Sequence, residues 1–241
     1  MKVKATIAYN GTKFYGSQVQ DKKVTVNGTL QNVLKSMGIV GKIEASGRTD
    51  RGVHATGQVI DFEVPEFWSD TKKLLEIINF KLPTSIRVRK IELTNDDFHA
   101  RYGATRRVYR YILKEGDSNP FEDEFITFVD KIDIDSLRDA IKLFEGTHDF
   151  KQFYKTGSDN KTTVRTIYKT RVYQYKGLTV LYFEANGFLR SQIRLMVAML
   201  LGINDEKLSL EDLQDQLTCK RKIAIKPAPS NGLYLAKIFY S

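Results

Sequence analysis

The run Ser46-Gly47-Arg48-Thr49-Asp50-Arg51-Gly52-Val53-His54-Ala55 sets one carboxylate between two arginines, with glycines on either side. A neighbouring guanidinium favours the ionised carboxylate. Glycines let the backbone turn tightly or pass close to a ligand. An aspartate in that setting suits a nucleophile or a general base working on an anionic polymer. The same residues also fit a surface loop whose charges offset one another, because structural ion pairs perturb carboxylates too.

Three further stretches carry residues with chemical potential. In Arg106-Arg107-Val108-Tyr109-Arg110-Tyr111, strand periodicity puts Arg107, Tyr109 and Tyr111 on one face and Arg106, Val108 and Arg110 on the other. Cations interleaved with aromatics suit phosphate contacts and base stacking, and they equally fit ordinary cross-strand pairs on an edge strand. Phe144 to Phe150 contains His148-Asp149. Adjacent residues on an extended segment face opposite ways, so a structural role is expected there rather than a dyad. In Asn186 to Arg194 a helix is expected to open, with Arg190 and Arg194 four apart on one face. Two arginines at the start of an otherwise apolar helix call for an anion, a phosphate or a buried carboxylate; the other reading is a half-exposed first turn.

Some chemistries have no support. The three histidines, His54, His99 and His148, lack metal-ligand spacing. The single cysteine, Cys219, forms no internal disulfide and no thiolate-rich metal site. No phosphate-cradling glycine loop of either common pattern occurs. Neither a metal nor a cofactor is expected.

The elements that must position these residues alternate. Lys2 to Tyr9 has the period of a half-buried strand. A helix is expected from Thr29 to Gly38, strands at Lys42 to Ala45 and Thr56 to Val64, a helix over 70–80 capped by Ser69, and a strand at Ser85 to Leu93. This β-α-β-β-α-β order is that of a ferredoxin-like unit. The second half repeats the theme: strands at Arg107 to Lys114 and Glu124 to Val129, a helix from Asp133 or Asp135 to Phe144, a hairpin of Val164 to Tyr175 with Leu178 to Ala185, helices at Phe188 to Leu201 and from Ser209 through Leu217, and a closing strand at Tyr234 to Tyr240. The expected fold is α+β: two ferredoxin-like halves, residues 1–97 and 98–241, whose mainly antiparallel sheets join across a positively charged central cleft, the default ligand site.

Thirty-eight Lys and Arg against 29 Asp and Glu leave a formal charge of +9 over 241 residues. That excess makes a polyanion the leading partner class. The longest apolar stretch, Gly187 to Gly202, is interrupted by Arg190, Gln192 and Arg194, so no membrane span is expected. A soluble, intracellular protein follows, with a cytoplasmic location.

Six blocks, in this order, resemble the tRNA pseudouridine synthase family of the TruA type: Tyr9 to Gly16, Gly47 to Ala55, Phe98 to Tyr111, Phe144 to Phe150, Asn186 to Arg194, and Ala228-Pro229-Ser230-Asn231-Gly232-Leu233-Tyr234. The resemblance implies roles. Asp50 holds the position of the catalytic aspartate, Tyr109 that of the tyrosine packed on the target uracil, and Arg194 that of the arginine paired with the aspartate. Arg48 matches the arginine that fills the space left by a flipped nucleotide, and Leu189 an apolar wall of the pocket. Lys13, Arg107 and Arg190 are the further candidates for substrate contact.

The family implies a homodimer acting on tRNA, in the anticodon stem-loop, without cofactor or metal. Ser17 stands where the family commonly has tryptophan, Arg51 where many members have alanine, and Arg190-Ser191-Gln192 replaces a stretch with histidine and methionine. Two rival functions are kept: a non-catalytic RNA-binding or chaperone module, and an N-glycosidase that releases free uracil.

Overall fold

The computed structural model describes residues 1–157 and 161–241. In chain order the elements are β1 (Lys2–Tyr9), α1 (Val26–Ser36), β2 (Glu44–Ala45), β3 (His54–Glu63), α2 (Thr71–Lys81), β4 (Ile86–Thr94), β5 (Ala104–Glu115), β6 (Thr127–Val129), α3 (Ile134–Lys142), β7 (Gly146–Asp149), β8 (Val164–Tyr175), β9 (Leu178–Ala185), α4 (Gln192–Asn204), α5 (Leu210–Leu217) and β10 (Leu233–Tyr240). The fold is mixed α+β, and its strand pairs are mainly antiparallel. The chain forms two compact units, Met1–Thr105 with Tyr234–Ser241, and Arg106–Leu233.

In the first unit β1 lies between β3 and β4, antiparallel to both, and β2 pairs with the far end of β3 at Asp61 and Ile60. The strand order β4-β1-β3-β2 is the ferredoxin-like one. Val3, Ala5 and Ile7 of β1 are fully buried, as the alternation requires of a central strand covered on one face by helices. Val26, Leu30 and Leu34 of α1 and Leu74 and Ile78 of α2 supply the cover.

Both helices begin at side-chain caps. Thr25 accepts from the Gly28 amide, and Asp70 accepts from the amides of Lys72 and Lys73; each satisfies amides that the first turn leaves unpaired. The cap of α2 is therefore Asp70 rather than Ser69, and α1 begins a turn before Thr29.

The expected division at residue 97/98 gave the last strand to the second half. In the structure Tyr234 to Ser241 groups with the first unit. Because β2 is only two residues long, the start of β3 is left open, and β10 pairs there in parallel, Tyr234 with His54 and Leu235 with Ala55. The rings of His54 and Tyr234 stack at 4.6 Å and 17°.

In the second unit β9 lies between β5 and β8, antiparallel to both; β7 pairs antiparallel with the start of β8, and β6 runs parallel to the end of β5. Helix α3 packs on β8 and on α4. Leu137, Ala140 and Ile141 of α3, and Tyr111, Leu113, Leu181 and Phe183 of the sheet, are fully buried. Phe144, Phe150 and Phe153 form edge-to-face contacts at 5.5 and 6.1 Å, the geometry the ring quadrupole favours. Strand β7 was not expected: Gly-Thr-His-Asp carries no apolar alternation from which to read it.

Candidate active site

The Asp50 loop belongs to the first unit and is held from beneath by buried polar side chains. Thr49, one residue before Asp50, is clasped twice by Ser17: the Ser17 hydroxyl accepts the Thr49 N–H at 2.8 Å, and the Ser17 N–H donates to the Thr49 carbonyl at 3.1 Å. The Thr49 hydroxyl shares a hydrogen bond with the Tyr9 hydroxyl at 2.8 Å. Gln58, 1% exposed, accepts from the Ser46 hydroxyl at 2.6 Å and donates to the Gly47 carbonyl at 2.8 Å.

Burial pushes the Tyr9 phenol up to about 12, against the opposing pull of its bonds to Thr49 and Gln58. The network is satisfied throughout the described residues, and a fully satisfied buried network fixes one arrangement of the loop it carries.

Two glycines shape the loop itself. The Val53 amide donates to the Asp50 carbonyl at 3.2 Å, closing a turn at Arg51-Gly52 with Gly52 at φ +79°, a conformation natural to glycine. Gly11 lies so close beneath it that a Cβ there would sit 2.0 Å from the Val53 carbonyl oxygen. The Gly11 amide donates to His54 Nδ1 at 3.1 Å, which holds the exit of the loop as well as its entry.

Asp50 is half-buried, while Arg48 and Arg51 are exposed. The Arg51 guanidinium lies 4.5 Å from the centre of the Tyr15 ring, a cation–π contact. That gives Arg51 a partner its sequence position did not suggest. Lys13 ends a single 3₁₀ turn, Gly11–Lys13, and is exposed.

In the second unit Arg194 stands in the first turn of α4. Its Nε donates to the Ala228 carbonyl at 2.7 Å, and the Ala228 amide donates to the Arg194 carbonyl at 2.9 Å. The segment that receives Arg194 is itself braced. The Tyr111 hydroxyl donates to the Pro229 carbonyl at 2.9 Å and shares a hydrogen bond with Thr127. Asn231 Nδ2 donates to the carbonyls of Asp123 and Ile126, both at 2.7 Å. Burial holds the Tyr111 phenol well above its ordinary range, with Thr127 and the Arg194 charge acting in the other direction. The guanidinium is thus aimed by a bond to its own Nε.

Tyr109 is 8% exposed on β5 and meets Phe188 edge to face at 5.3 Å. Leu189, 5% exposed, follows Phe188. Arg107 donates to the Asn186 carbonyl at 2.9 Å. Arg165, which carries no motif signal, has its pKa lowered by burial and then by the like charge of Arg107 nearby. The unit therefore gathers Arg107, Tyr109, Leu189 and Arg194 from β5, from the turn before α4, and from α4 itself.

Two expectations change. Helix α4 begins at Gln192, after Ser191 in the left-handed region at φ 58°. Arg190 therefore precedes the helix and does not share a helical face with Arg194. Gln192, fully buried, accepts the Leu189 amide at 2.8 Å and so spends its side chain on the turn that carries Leu189 and Arg190. The pair His148-Asp149 is structural, as expected: His148 Nε2 bonds the Glu145 carbonyl at 2.9 Å, and Asp149 accepts the Lys151 amide at 3.1 Å.

Among the described residues no group of three or more His, Cys, Asp or Glu could hold a metal ion, and no helix is long and apolar enough to cross a membrane.

A family model described as tRNA pseudouridine synthase matches residues 5–103 and 140–241, which include Asp50 and Arg194. The chain belongs to the tRNA pseudouridine synthase family. It is similar along its whole length to proteins named tRNA pseudouridine synthase A: 43% identical over 236 residues to that of Wolinella succinogenes, covering 98% of this chain and 93% of the relative. It is 38% identical over 240 residues to that of Campylobacter jejuni, covering the whole of both, and 39% identical over 244 residues to that of Helicobacter hepaticus, covering 98% of each. Tyr109 lies between the two matched stretches of the family model.

Proposed function

We propose that this family member isomerises uridine to pseudouridine in the anticodon stem-loop of tRNA, with Asp50 as its catalytic residue. The observation that carries the reading is a half-buried aspartate, within the family match, on a loop clasped from below at Thr49. In the reaction the N1–C1′ bond breaks, the freed uracil turns, C5 bonds to C1′, the C5 proton leaves, and N1 ends protonated. No atom is added and no electron is transferred, so acid–base and nucleophilic groups suffice.

Asp50 acts at the ribose, adding to C1′ or taking the C2′ proton, and both routes need it ionised. Arg194 supplies the countercharge that keeps it so in a site with little water. Tyr109 packs on the uracil and lies where the C5 proton departs. A stacked uridine must first leave its stack, at a cost of roughly a few kcal/mol; Arg48 entering the vacated space offsets part of that. Lys13, Arg107, Leu189 and Arg190 contact the substrate. The same proposal includes a homodimer and a cytoplasmic location.

The test is release of tritium from tRNA carrying 5-tritiated uridine. Asp50→Asn keeps the shape and removes the charge, and is expected to abolish release while tRNA binding persists. Substantial turnover by Asp50→Asn overturns the assignment. Free uracil in the product marks an N-glycosidase, and tRNA binding without any release by the native chain marks a non-catalytic binding module. Light scattering tests the dimer; a monomer at working concentration overturns it.

A further inference from the structure

A concavity in the Arg106–Leu233 unit lies beside Arg190 and holds none of Asp50, Tyr109 and Arg194. It is a cavity of about 270 Å³ lined by Tyr154, Lys155, Thr156, Arg190, Leu195, Lys222 and Ile225. Three of these side chains are cationic and none is acidic. Among the described residues Lys155, Arg190 and Lys222 make no ion pair. Three like charges around one hollow repel one another, and that repulsion is relieved when an anion sits among them.

The cations come from three separate segments that the fold ties together. Gln216, fully buried on α5, donates through Nε2 to the Gln152 carbonyl at 3.1 Å, in the segment leading to Lys155. Its Oε1 accepts the amides of Ile223 and Ala224 at 2.9 and 2.6 Å, in the segment that follows Lys222. The Lys155 amide donates to the Arg190 carbonyl at 3.1 Å and joins the third segment. A buried amide with all its bonds made, serving two of the three loops, holds the backbone of the hollow in place before any ligand arrives. Ile225, 68% exposed, adds apolar surface beside the charges, which suits a sugar or base next to a phosphate.

We propose that this cavity binds a backbone phosphodiester of the tRNA, with Lys155, Arg190 and Lys222 as its cationic wall. The proposal rests on the tRNA function above and adds a binding site to it. The contact positions the RNA and reads no base, so its signature is electrostatic.

The experiment measures binding of unfractionated tRNA by fluorescence anisotropy over a salt series. The native chain is compared with Lys155→Gln/Lys222→Gln and with a control, Lys72→Gln/Lys73→Gln, that removes the same charge from exposed positions on α2. Each lost phosphate contact lowers the slope of log affinity against log salt by about 0.7 on single strands and about 0.9 on duplex. Both lysines face the one phosphate, so the cavity variant should lose about 0.7 to 0.9 from its slope. Between about 50 and about 200 mM salt its affinity should fall roughly 2.6- to 3.5-fold less than that of the native chain. The control should keep the native slope.

An unchanged slope in the cavity variant, or an equal change in the control, overturns the proposal. The single variants Lys155→Gln and Lys222→Gln, each expected to lose about half, carry the test if the double variant folds poorly. Inorganic phosphate is the second probe: if it competes in the native chain and not in the cavity variant while the tRNA slope stays native, the hollow takes free phosphate and the RNA assignment fails. Tritium release by the native chain reads the function separately, so a failed phosphate site and a failed synthase assignment give different results.

Discussion

Ser17→Ala tests whether the loop beneath Asp50 is held as the structure describes. The substitution removes one oxygen. Ser17 is 2% exposed and Thr49 7% exposed, and the lost oxygen leaves a space smaller than the room a water needs. The Thr49 N–H is then buried without its 2.8 Å acceptor, a loss of about 1–3 kcal/mol. The reciprocal bond from the Ser17 N–H to the Thr49 carbonyl remains, so the loop loosens without detaching.

Urea unfolding should show the stability loss directly, as a lower midpoint with an unchanged slope. The kinetic effect follows from position: a displacement of about 1 Å at a reacting group costs on the order of a hundredfold, so tritium release should fall about tenfold to a hundredfold, mainly in kcat. A stability loss below about 0.5 kcal/mol with turnover within about twofold of native would refute the clasp altogether. A full stability loss with native turnover would refute the narrower claim that the clasp positions Asp50.

Three other outcomes are expected. Arg194→Lys keeps the charge but loses the 2.7 Å bond from Nε to Ala228 and the planar fork. Its kcat should drop at least about a hundredfold with KM moving less than about threefold, and near-native turnover would show that charge alone suffices. Gly11→Ala would place a Cβ 2.0 Å from the Val53 carbonyl oxygen. A loss of about 3 kcal/mol, or about 6–12 °C in Tm, is expected in thermal unfolding, and a native Tm would mean that the loop can move aside. Tyr9 has a folded pKa of about 12, above its unfolded value, so its neutral form is favoured by folding. That contribution is whole below pH about 10 and is lost as pH rises towards about 12. Tyr9→Phe should flatten the fall in stability across that window, and an unchanged profile would assign the alkaline transition to other groups.

Local signals placed most of the elements. β9 matches its expectation at both ends, Leu178 and Ala185, because a hydrophobic run between Lys176-Gly177 and Asn186-Gly187 is bounded by turn residues. Ser209 caps α5 with a reciprocal Ser209–Asp212 capping box, again a local pattern. Errors arose where a local signal was overridden. Gly28 inside α1 hid the true start at Thr25, and Phe188 and Leu189 resemble the apolar stripe of α4 although the chain reaches helical geometry only after Ser191.

The sequence by itself determined the composition of the candidate site: a polyanion-binding charge balance, an aspartate in a glycine-flanked loop, and the motif blocks that single out Asp50, Tyr109 and Arg194. These are properties of residue type and short spacing, which are visible along the chain. The tertiary structure decided what holds those residues. Ser17 meets Thr49 across 32 positions, Arg194 meets Ala228 across 34, Tyr111 meets Pro229 across 118, and β10 returns to β3 at His54. A serine with an ordinary polar context gives no sign that its hydroxyl will be buried under a loop so far away. The two-residue length of β2, which leaves the start of β3 open to β10, has no meaning until the sheet is assembled. Hydrogen bonds between distant segments exist only after the chain has collapsed around them, so the support of the site was legible only in the fold.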